Sequence, residues 1–339
     1  MEIQKPNLFE YATSELSQDA FLCWLFEYGT ENNKGDEVYK VAHEFLEAIS
    51  KQLPTEKRFD ENCQILGVKK QYNNIDVLIE LSNGVNIIIE DKTSAHIHDN
   101  QLEKYENRLI KKDGIKKEKI IKVYLKTSDY VKEEKTADAT INRSNIIKII
   151  EFITKNPNNL ILRDYYNHLI SMQKRKDNWK LKKDCINDWN DSEWIGYLEK
   201  EVLSDLKENY SYGIGNVHPR GGVFLACWWS EKGQEAPYIY RQIEIKSTKR
   251  IRLAFKIENK SKDGYKQCPI ADLQNIIRSV YNKYKNGNRS GESSSFSYFD
   301  INLKKGDITL KAFEEHLKLF KEFEMEPLYN VCKNNKLIK

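Results

Sequence analysis

The segment IDVLIELSNGVNIIIEDK, Ile75 to Lys92, decides the fold, because its pattern predicts two paired strands together with their register. Its turn can be a two-residue loop at Asn83-Gly84, or a three-residue loop, Ser82 to Gly84, with Gly84 in the left-handed conformation. A one-residue slip between these registers turns every side chain to the other face of the sheet. Only the three-residue loop gives a wholly apolar face, which pairs Leu81 with Val85, Ile79 with Ile87 and Val77 with Ile89.

The favoured register brings polar side chains together near the open end of this hairpin. It places Asp76 directly opposite Glu90, at a side-chain separation of roughly 5 Å. Lys92 lies on the same face as Glu90 because residues two apart in a strand share a face, whereas Asp91 points to the other face. The sequence therefore predicts two carboxylates beside one amine.

Two carboxylates held this close on an apolar hairpin repel each other unless a cation compensates them. Oxygen ligands without a neighbouring Cys or His pattern suit Mg²⁺, or Mn²⁺, better than Zn²⁺. Such an ion can acidify a bound water and neutralise charge on a phosphate. The residues thus favour phosphodiester hydrolysis, with Lys92 orienting the water or stabilising the pentavalent phosphate.

The elements around the hairpin predict one compact unit in the order α, three strands, α, strand. An amphipathic helix with an N-cap serine should run from Ser14 to Tyr28. A period of two begins near Gln64 and indicates the strands. The other expected elements are a helix at 37–51, strands at 64–72, 75–81 and 85–92, a helix at about 98–111 and a strand at 119–126.

The second half of the chain predicts a separate α+β domain. A further helical stretch reaches about Gln173, and the basic and polar segment 174–185 is a plausible boundary. We therefore expect domains at 1–175 and 186–339. Strands are expected at 222–230, 239–245, 250–257 and 296–303, with helices at 271–285 and from about Thr309.

The composition of the 339 residues is that of a globular protein. Hydrophobic residues make up 40% and charged residues 31%, with 19 Tyr and 6 Trp, which excludes a disordered chain. No apolar run approaches the ~20 residues that span a bilayer, so we expect a cytoplasmic location and no membrane partner. The net charge of +4 decides nothing about nucleic acid. The six scattered cysteines suggest neither a zinc site nor a disulfide framework.

The region of about residues 8 to 126 resembles the PD-(D/E)XK nuclease superfamily. The resemblance rests on Asp76 in one strand, on E-x-K (Glu90-Asp91-Lys92) in the next, and on Gln101 and Tyr105 in a following helix. The last pair is similar to the Q-x-x-x-Y motif of the RecB-like branch. Ile75 stands where the motif has the proline that names it, and proline is not a ligand.

The resemblance implies a restriction-endonuclease-like αβββαβ core and a Mg²⁺-dependent nuclease. Asp76 and Glu90 would be metal ligands, Lys92 the catalytic lysine, and Glu15, in the first helix, a supporting acid and metal ligand. Gln101 and Tyr105, four apart on one helical face, would line the site or contact nucleic acid. The implied substrate is DNA more than RNA, and such proteins often act in bacterial defence against phage.

Several alternatives stay open from the sequence. Glu44 and Glu47 compete with Glu15 as the helix acid, and Glu15 and Asp19 can also simply complement a helix N-terminus. Asp76, Glu90 and Lys92 can be read as a surface ion-pair cluster. The chain can also be an RNA nuclease, or a module that binds or senses nucleic acid without cutting. The second domain would recognise DNA, a partner protein, an activating ligand or a second copy of the chain.

Overall fold

A computed structural model describes most of the chain and divides it into two compact units. The first unit contains residues 1–129 and 134–175, and the second contains 130–133 and 176–339. The described residues are 6–60, 63–93, 100–132, 136–206, 209–218, 223–233, 238–258, 285–286, 293–326 and 329–330.

The first unit is built on a mixed five-stranded sheet. Its strands are β1 (Ile65–Tyr72), β2 (Ile75–Leu81), β3 (Asn86–Lys92), β4 (Ile120–Lys126) and β6 (Ala139–Asn142), in the spatial order β1-β2-β3-β4-β6. The first three strands form an antiparallel meander, and the pairs β3–β4 and β4–β6 are parallel. Parallel neighbours need a crossover connection, which helix α3 (Gln101–Asp113) supplies between β3 and β4.

The hairpin between β2 and β3 has the register that its pattern favours. Val77 pairs with Ile89 and Ile79 with Ile87. The Leu81 N–H donates to the Val85 carbonyl at 2.8 Å, and the loop between them ends at Gly84 with φ +81°. This left-handed residue closes the three-residue loop at little cost, because glycine has no Cβ to clash.

Helices cover both faces of the first sheet. Helices α1 (Glu15–Tyr28), α2 (Glu37–Gln52), α4 (Arg143–Ile153) and α5 (Leu160–Asp177) share one hydrophobic core with Val77, Ile79, Ile87 and Ile89. Helix α3 packs Leu102, Tyr105 and Leu109 on the other face against Leu78 and Ile88. The predicted αβββαβ core is confirmed, as a mixed sheet between helical layers.

The chain after β4 differs in detail from its sequence pattern. The single helical stretch expected up to Gln173 is two helices, α4 and α5, because the chain leaves helical geometry after Ile153. Strand β6 was not anticipated, since its four residues are too short to show a periodicity. The predicted helix start at His98 lies outside the described residues, and the helix is described from Gln101.

The second unit is a seven-stranded antiparallel sheet with helices. Its elements are β7 (Tyr210–Val217), β8 (Phe224–Glu231), β9 (Tyr238–Lys246), β10 (Arg250–Glu258), β11 (Lys285–Asn286), β12 (Ser293–Asn302), α6 (Asp191–Leu198) and α7 (Leu310–Glu322). The segment Val131–Lys132 (β5) adds the last strand, next to β7. The spatial order of the strands is β11-β12-β10-β9-β8-β7-β5.

The core of the second unit contains a cluster of aromatic side chains among its aliphatic residues. Trp194 contacts Trp189, Tyr197 and Phe313 edge-on, and Trp229 contacts Phe320. Trp229 is buried whereas its neighbour Trp228 is only half-buried, as expected where neighbours in a strand point to opposite faces.

Other expectations for the second half rest partly on residues outside the described part. A helix is expected at 271–285. Residues 271–284 lie outside the described part of the chain, and Lys285 begins β11. Cys23, Cys63, Cys185 and Cys227 carry free thiols. None of the described helices is long and apolar enough to cross a bilayer.

Candidate active site

Asp76 and Glu90 face each other at the open end of the β2–β3 hairpin. Glu90 is completely buried, with 0% exposure. Burial and, next, the nearby Asp76 carboxylate raise the pKa of Glu90 to about 7, although the Lys92 ammonium opposes both. Asp76 is half-buried and accepts the Asp91 backbone N–H at 3.0 Å. The structure thus brings the two carboxylates together, as the register predicted.

Lys92 extends along the same face and neutralises part of this negative charge. Its Nζ lies 2.7 Å from Glu90 Oε1 and 3.4 Å from Glu15 Oε2. Burial lowers the pKa of the Lys92 ammonium, but the Glu90 carboxylate more than offsets burial and holds that pKa above its ordinary value. Lys92 is therefore an ammonium ion at neutral pH, although only 6% of it is exposed.

Helix α3 places the Gln101–Tyr105 pair beside the two carboxylates. Gln101 Nε2 donates to the Tyr105 hydroxyl at 2.6 Å. Burial raises the pKa of Tyr105 to about 12, and the Glu90 and Asp76 carboxylates contribute to the shift. Tyr105 therefore keeps its proton at neutral pH and presents a hydroxyl group to the acidic pair.

Glu15 is the helix acid that reaches this group. It begins α1 and contacts Lys92, whereas Glu47 pairs with Lys51 on α2 at 2.6 Å. Glu44 lies with Glu47 beside a surface cavity of about 670 Å³ formed by α2 and the segment after it. Of the three glutamates that the sequence offered as the supporting helix acid, Glu15 contacts the candidate catalytic lysine.

The opposite face of β3 carries polar groups that the sequence left unassigned. Asp91 points away from Glu90, as strand alternation requires, and is completely buried. Gln18 Nε2 donates to Asp91 Oδ1 at 2.5 Å, and the Thr127 hydroxyl donates to Gln18 Oε1 at 3.0 Å. Gln18 thereby ties α1 to β3. The helical spacing of Gln18 with Phe21, Leu22 and Leu25 was a usable signal that Gln18 faces inward.

Asp19 and Gln71 are two further residues that sequence reasoning did not place in the site. Asp19 is 1% exposed, and burial raises its pKa to about 6, with a further contribution from Asp76. Gln71 Nε2 donates to Asp19 Oδ2 at 2.9 Å and to Asp76 Oδ1 at 3.2 Å. No pattern in the sequence singled out Gln71, whose backbone takes a left-handed angle near the end of β1.

The oxygens of this cluster suit a divalent cation. Both Glu90 oxygens and Glu15 Oε1 are buried, and the Lys92 ammonium lies 2.7 Å from Glu90 Oε1. Within the described part of the chain, no three acidic, imidazole or thiol side chains form a ready-made metal cage. Mg²⁺ does not require one, because it usually binds one or two carboxylates and completes its shell with water and phosphate oxygens. Asp76 and Glu90 fit that description.

Comparison with known protein families gave one match. A family model of the PD-(D/E)XK nuclease superfamily matches residues 6–184, which include Asp76, Glu90 and Lys92. The searches of curated proteins and of solved structures gave no significant match.

Proposed function

Since the chain belongs to the PD-(D/E)XK nuclease superfamily, we propose that it is a metal-dependent nuclease that hydrolyses phosphodiester bonds of DNA. The observation that carries the proposal is the buried Glu90 carboxylate, which faces Asp76 and contacts the Lys92 ammonium at 2.7 Å. A buried acid whose pKa is raised by a second acid is costly for folding and is typical of a functional site.

Asp76 and Glu90 would bind one Mg²⁺ or Mn²⁺ ion, with Glu15 as a supporting acid from α1. When bound, the ion would lower the pKa of a water molecule and neutralise charge on the phosphate. The burial of the Glu90 oxygens and of Glu15 Oε1 supports this assignment, because a buried carboxylate is costly unless a cation compensates its charge.

Lys92 would act as a cation rather than as a base. Its raised pKa keeps the ammonium protonated, so it can donate hydrogen bonds to a phosphate oxygen. Charge on those oxygens increases as water adds to phosphorus, and a fixed ammonium stabilises the transition state more than the ground state. The water loses a proton, the bond from phosphorus to the leaving sugar oxygen breaks, and that oxygen gains a proton.

Gln101 and Tyr105 would line the site next to Glu90, in the manner of a Q-x-x-x-Y motif. The Gln101 amide fixes the direction of the Tyr105 hydroxyl through their 2.6 Å hydrogen bond. A hydroxyl that keeps its proton can donate to a carboxylate or to a phosphate oxygen.

The proposal is tested with the purified full-length chain, end-labelled DNA and added Mg²⁺ or Mn²⁺. Wild type should cut, and Asp76→Asn, Glu90→Gln and Lys92→Gln should each lose cutting by at least 100-fold. Glu80→Gln is the matched control, because Glu80 lies on β2 with Asp76, is half-buried and pairs with Lys69 at 2.6 Å. Equal cutting by wild type and the three site variants would reject the assigned residues.

Experiments with the same purified protein distinguish two alternative functions. An RNA nuclease would cut labelled RNA and spare single- and double-stranded DNA of the same sequence. A module that only binds nucleic acid would retain it in a gel-shift assay without cutting, with or without metal. A defence role requires that expression reduce phage plaques and that Asp76→Asn remove the protection.

A further inference from the structure

Gln71 has a backbone conformation that a glutamine rarely adopts. Its φ is +54°, in the left-handed region, near the end of strand β1. Glycine adopts this conformation freely, and asparagine or aspartate adopts it fairly often because its short side chain can hydrogen-bond to the local backbone. A longer side chain such as glutamine lacks that local stabilisation. Residues held in such conformations cluster at functional sites, where the surrounding contacts compensate the strain.

The register of β1 and β2 places Gln71 across from Asp76. Lys70 pairs with Val77 and Tyr72 with Ile75, so Gln71 occupies the position opposite Asp76. Since Asp76 in turn lies opposite Glu90, the three side chains form a row across three strands. The amide of Gln71 is therefore the third member of a row whose other members are the candidate metal ligands.

The hydrogen bonds of the row use both hydrogens of one amide. Gln71 Nε2 donates to Asp76 Oδ1 at 3.2 Å and to Asp19 Oδ2 at 2.9 Å. The second Asp76 oxygen accepts the Asp91 N–H at 3.0 Å. Each Asp76 oxygen thus accepts a hydrogen bond from a described residue, and a carboxylate oxygen can accept about two. The carboxylate is fixed in direction and remains able to bind a cation.

We propose that Gln71 is a positioning residue, whose amide orients the Asp76 carboxylate for metal binding and holds it apart from the buried Asp19. This inference rests on the proposed nuclease function. A positioning role differs from a purely structural role in one respect. Replacing Gln71 by glycine should impair metal binding at the site while removing the strain of the left-handed backbone angle.

Gln71→Gly is the deciding variant, because glycine accepts the left-handed backbone but has no amide. We expect its melting temperature to equal or exceed that of wild type. We expect its kcat for DNA cutting to fall about tenfold, and the Mg²⁺ concentration for half-maximal rate to rise. Gln71→Asn, which suits the backbone but is one methylene shorter, should show the same losses.

Asn74→Gly is the matched control. Asn74 has φ +66° in the turn between β1 and β2, so glycine relieves the same kind of backbone angle there without touching the acidic row. Its cutting rate and its Mg²⁺ dependence should equal those of wild type.

The outcomes separate this inference from the proposed function. If wild type cuts and Asp76→Asn does not, then normal cutting and normal Mg²⁺ dependence of Gln71→Gly overturn the role of Gln71 alone. A lower melting temperature together with lower activity would also overturn it, because that combination indicates a structural contact. If wild type cuts nothing, calorimetry with Mn²⁺ decides. Weaker binding by Gln71→Gly than by Asn74→Gly supports the role, whereas equal binding, or none by wild type, overturns it.

Discussion

The Lys92 ammonium lies 2.7 Å from Glu90 Oε1, inside a site where burial and the Asp76 carboxylate together raise the pKa of Glu90 to about 7. Without another cation, Lys92 supplies the positive charge next to Glu90. It does not cancel the effects of burial and of Asp76 on Glu90, since the pKa stays raised. This remaining imbalance has measurable consequences for stability and for metal binding.

We expect Glu90→Gln to be more stable than wild type at pH 8 in the presence of a chelator. The raised pKa means that the ionised Glu90 destabilises the fold, at about 1.4 kcal/mol per pKa unit, so the gain should be about 1–3 kcal/mol. The folded state binds more protons than the unfolded state between pH 4.5 and about 7. Wild type therefore loses more stability than the variant as pH rises through that window, since Asp19, with its raised pKa, titrates in both proteins.

Urea denaturation at a series of pH values measures this difference. The free energies of unfolding of wild type and Glu90→Gln should converge below about pH 4.5, where Glu90 is protonated in both the folded and the unfolded state of wild type. Glu80→Gln serves as the control, with no comparable gain at pH 8. A wild type that is the more stable protein at pH 8 would contradict the prediction.

We expect the affinity for Mg²⁺ or Mn²⁺ to increase with pH. A metal ligand must be deprotonated, so an ion that binds Glu90 has to displace its proton when the pH lies below about 7. A pKa near 7 predicts about a tenfold gain in affinity from pH 6 to pH 8. Calorimetry in two buffers of different ionisation enthalpy should show release of about half a proton at pH 7. An affinity that stays constant over this range would count against Glu90 as a ligand.

We expect Tyr105→Phe to reduce kcat about tenfold while the KM for DNA changes little. The variant keeps the buried ring and removes the hydroxyl that Gln101 orients at 2.6 Å beside Glu90. Tyr72→Phe is the control, because the Tyr72 hydroxyl donates to Asp113 at 2.8 Å on an exposed surface. Steady-state cutting rates measure both variants. Unchanged cutting by Tyr105→Phe would show that the Tyr105 hydroxyl has no role in cutting.

We expect Glu193→Gln to destabilise the second unit by about 1–3 kcal/mol at pH 7, the usual range for hydrogen bonds to a charged group. Glu193 is completely buried and accepts from the Asn190 N–H at 2.8 Å and from Asn178 Nδ2 at 2.6 Å, with Lys182 Nζ at 2.7 Å. Burial raises its pKa, but these partners outweigh burial and hold the pKa below its ordinary value.

The pH dependence of this effect has the opposite sign to that of Glu90. A lowered pKa gives stability that is present above the unfolded value of 4.5 and is lost as pH falls through the lower folded value. The difference between wild type and variant in urea denaturation should therefore shrink only in acid. Glu322→Gln is the control, because the exposed Lys318–Glu322 pair at 3.9 Å should contribute little.

Much of the first unit could be predicted from local patterns. The apolar pairs Val77–Ile89 and Ile79–Ile87 define the hairpin register, because any slip places apolar residues in water. That register sets Asp76 against Glu90 and puts Lys92 beside Glu90. The helix that carries Gln101 and Tyr105 follows from amphipathic spacing.

Residues whose positions depend on distant parts of the chain could not be predicted in this way. Gln71 contacts Asp19, a residue of α1, and its backbone takes a left-handed angle within a strand. Gln18 meets Asp91 because α1 packs on the face of the sheet opposite Glu90. No periodicity in the sequence reports which helix covers which face.

The sequence by itself determined the hairpin, its register and the three side chains that share one face at its open end. These follow from alternation along a strand and from the transfer of apolar side chains out of water, both of which act over a few residues. Only the tertiary structure decided that Glu15, rather than Glu44 or Glu47, contacts Lys92, and that Gln71 joins Asp19 to Asp76. Those contacts join residues brought together by the packing of whole helices and strands, which local spacing does not encode.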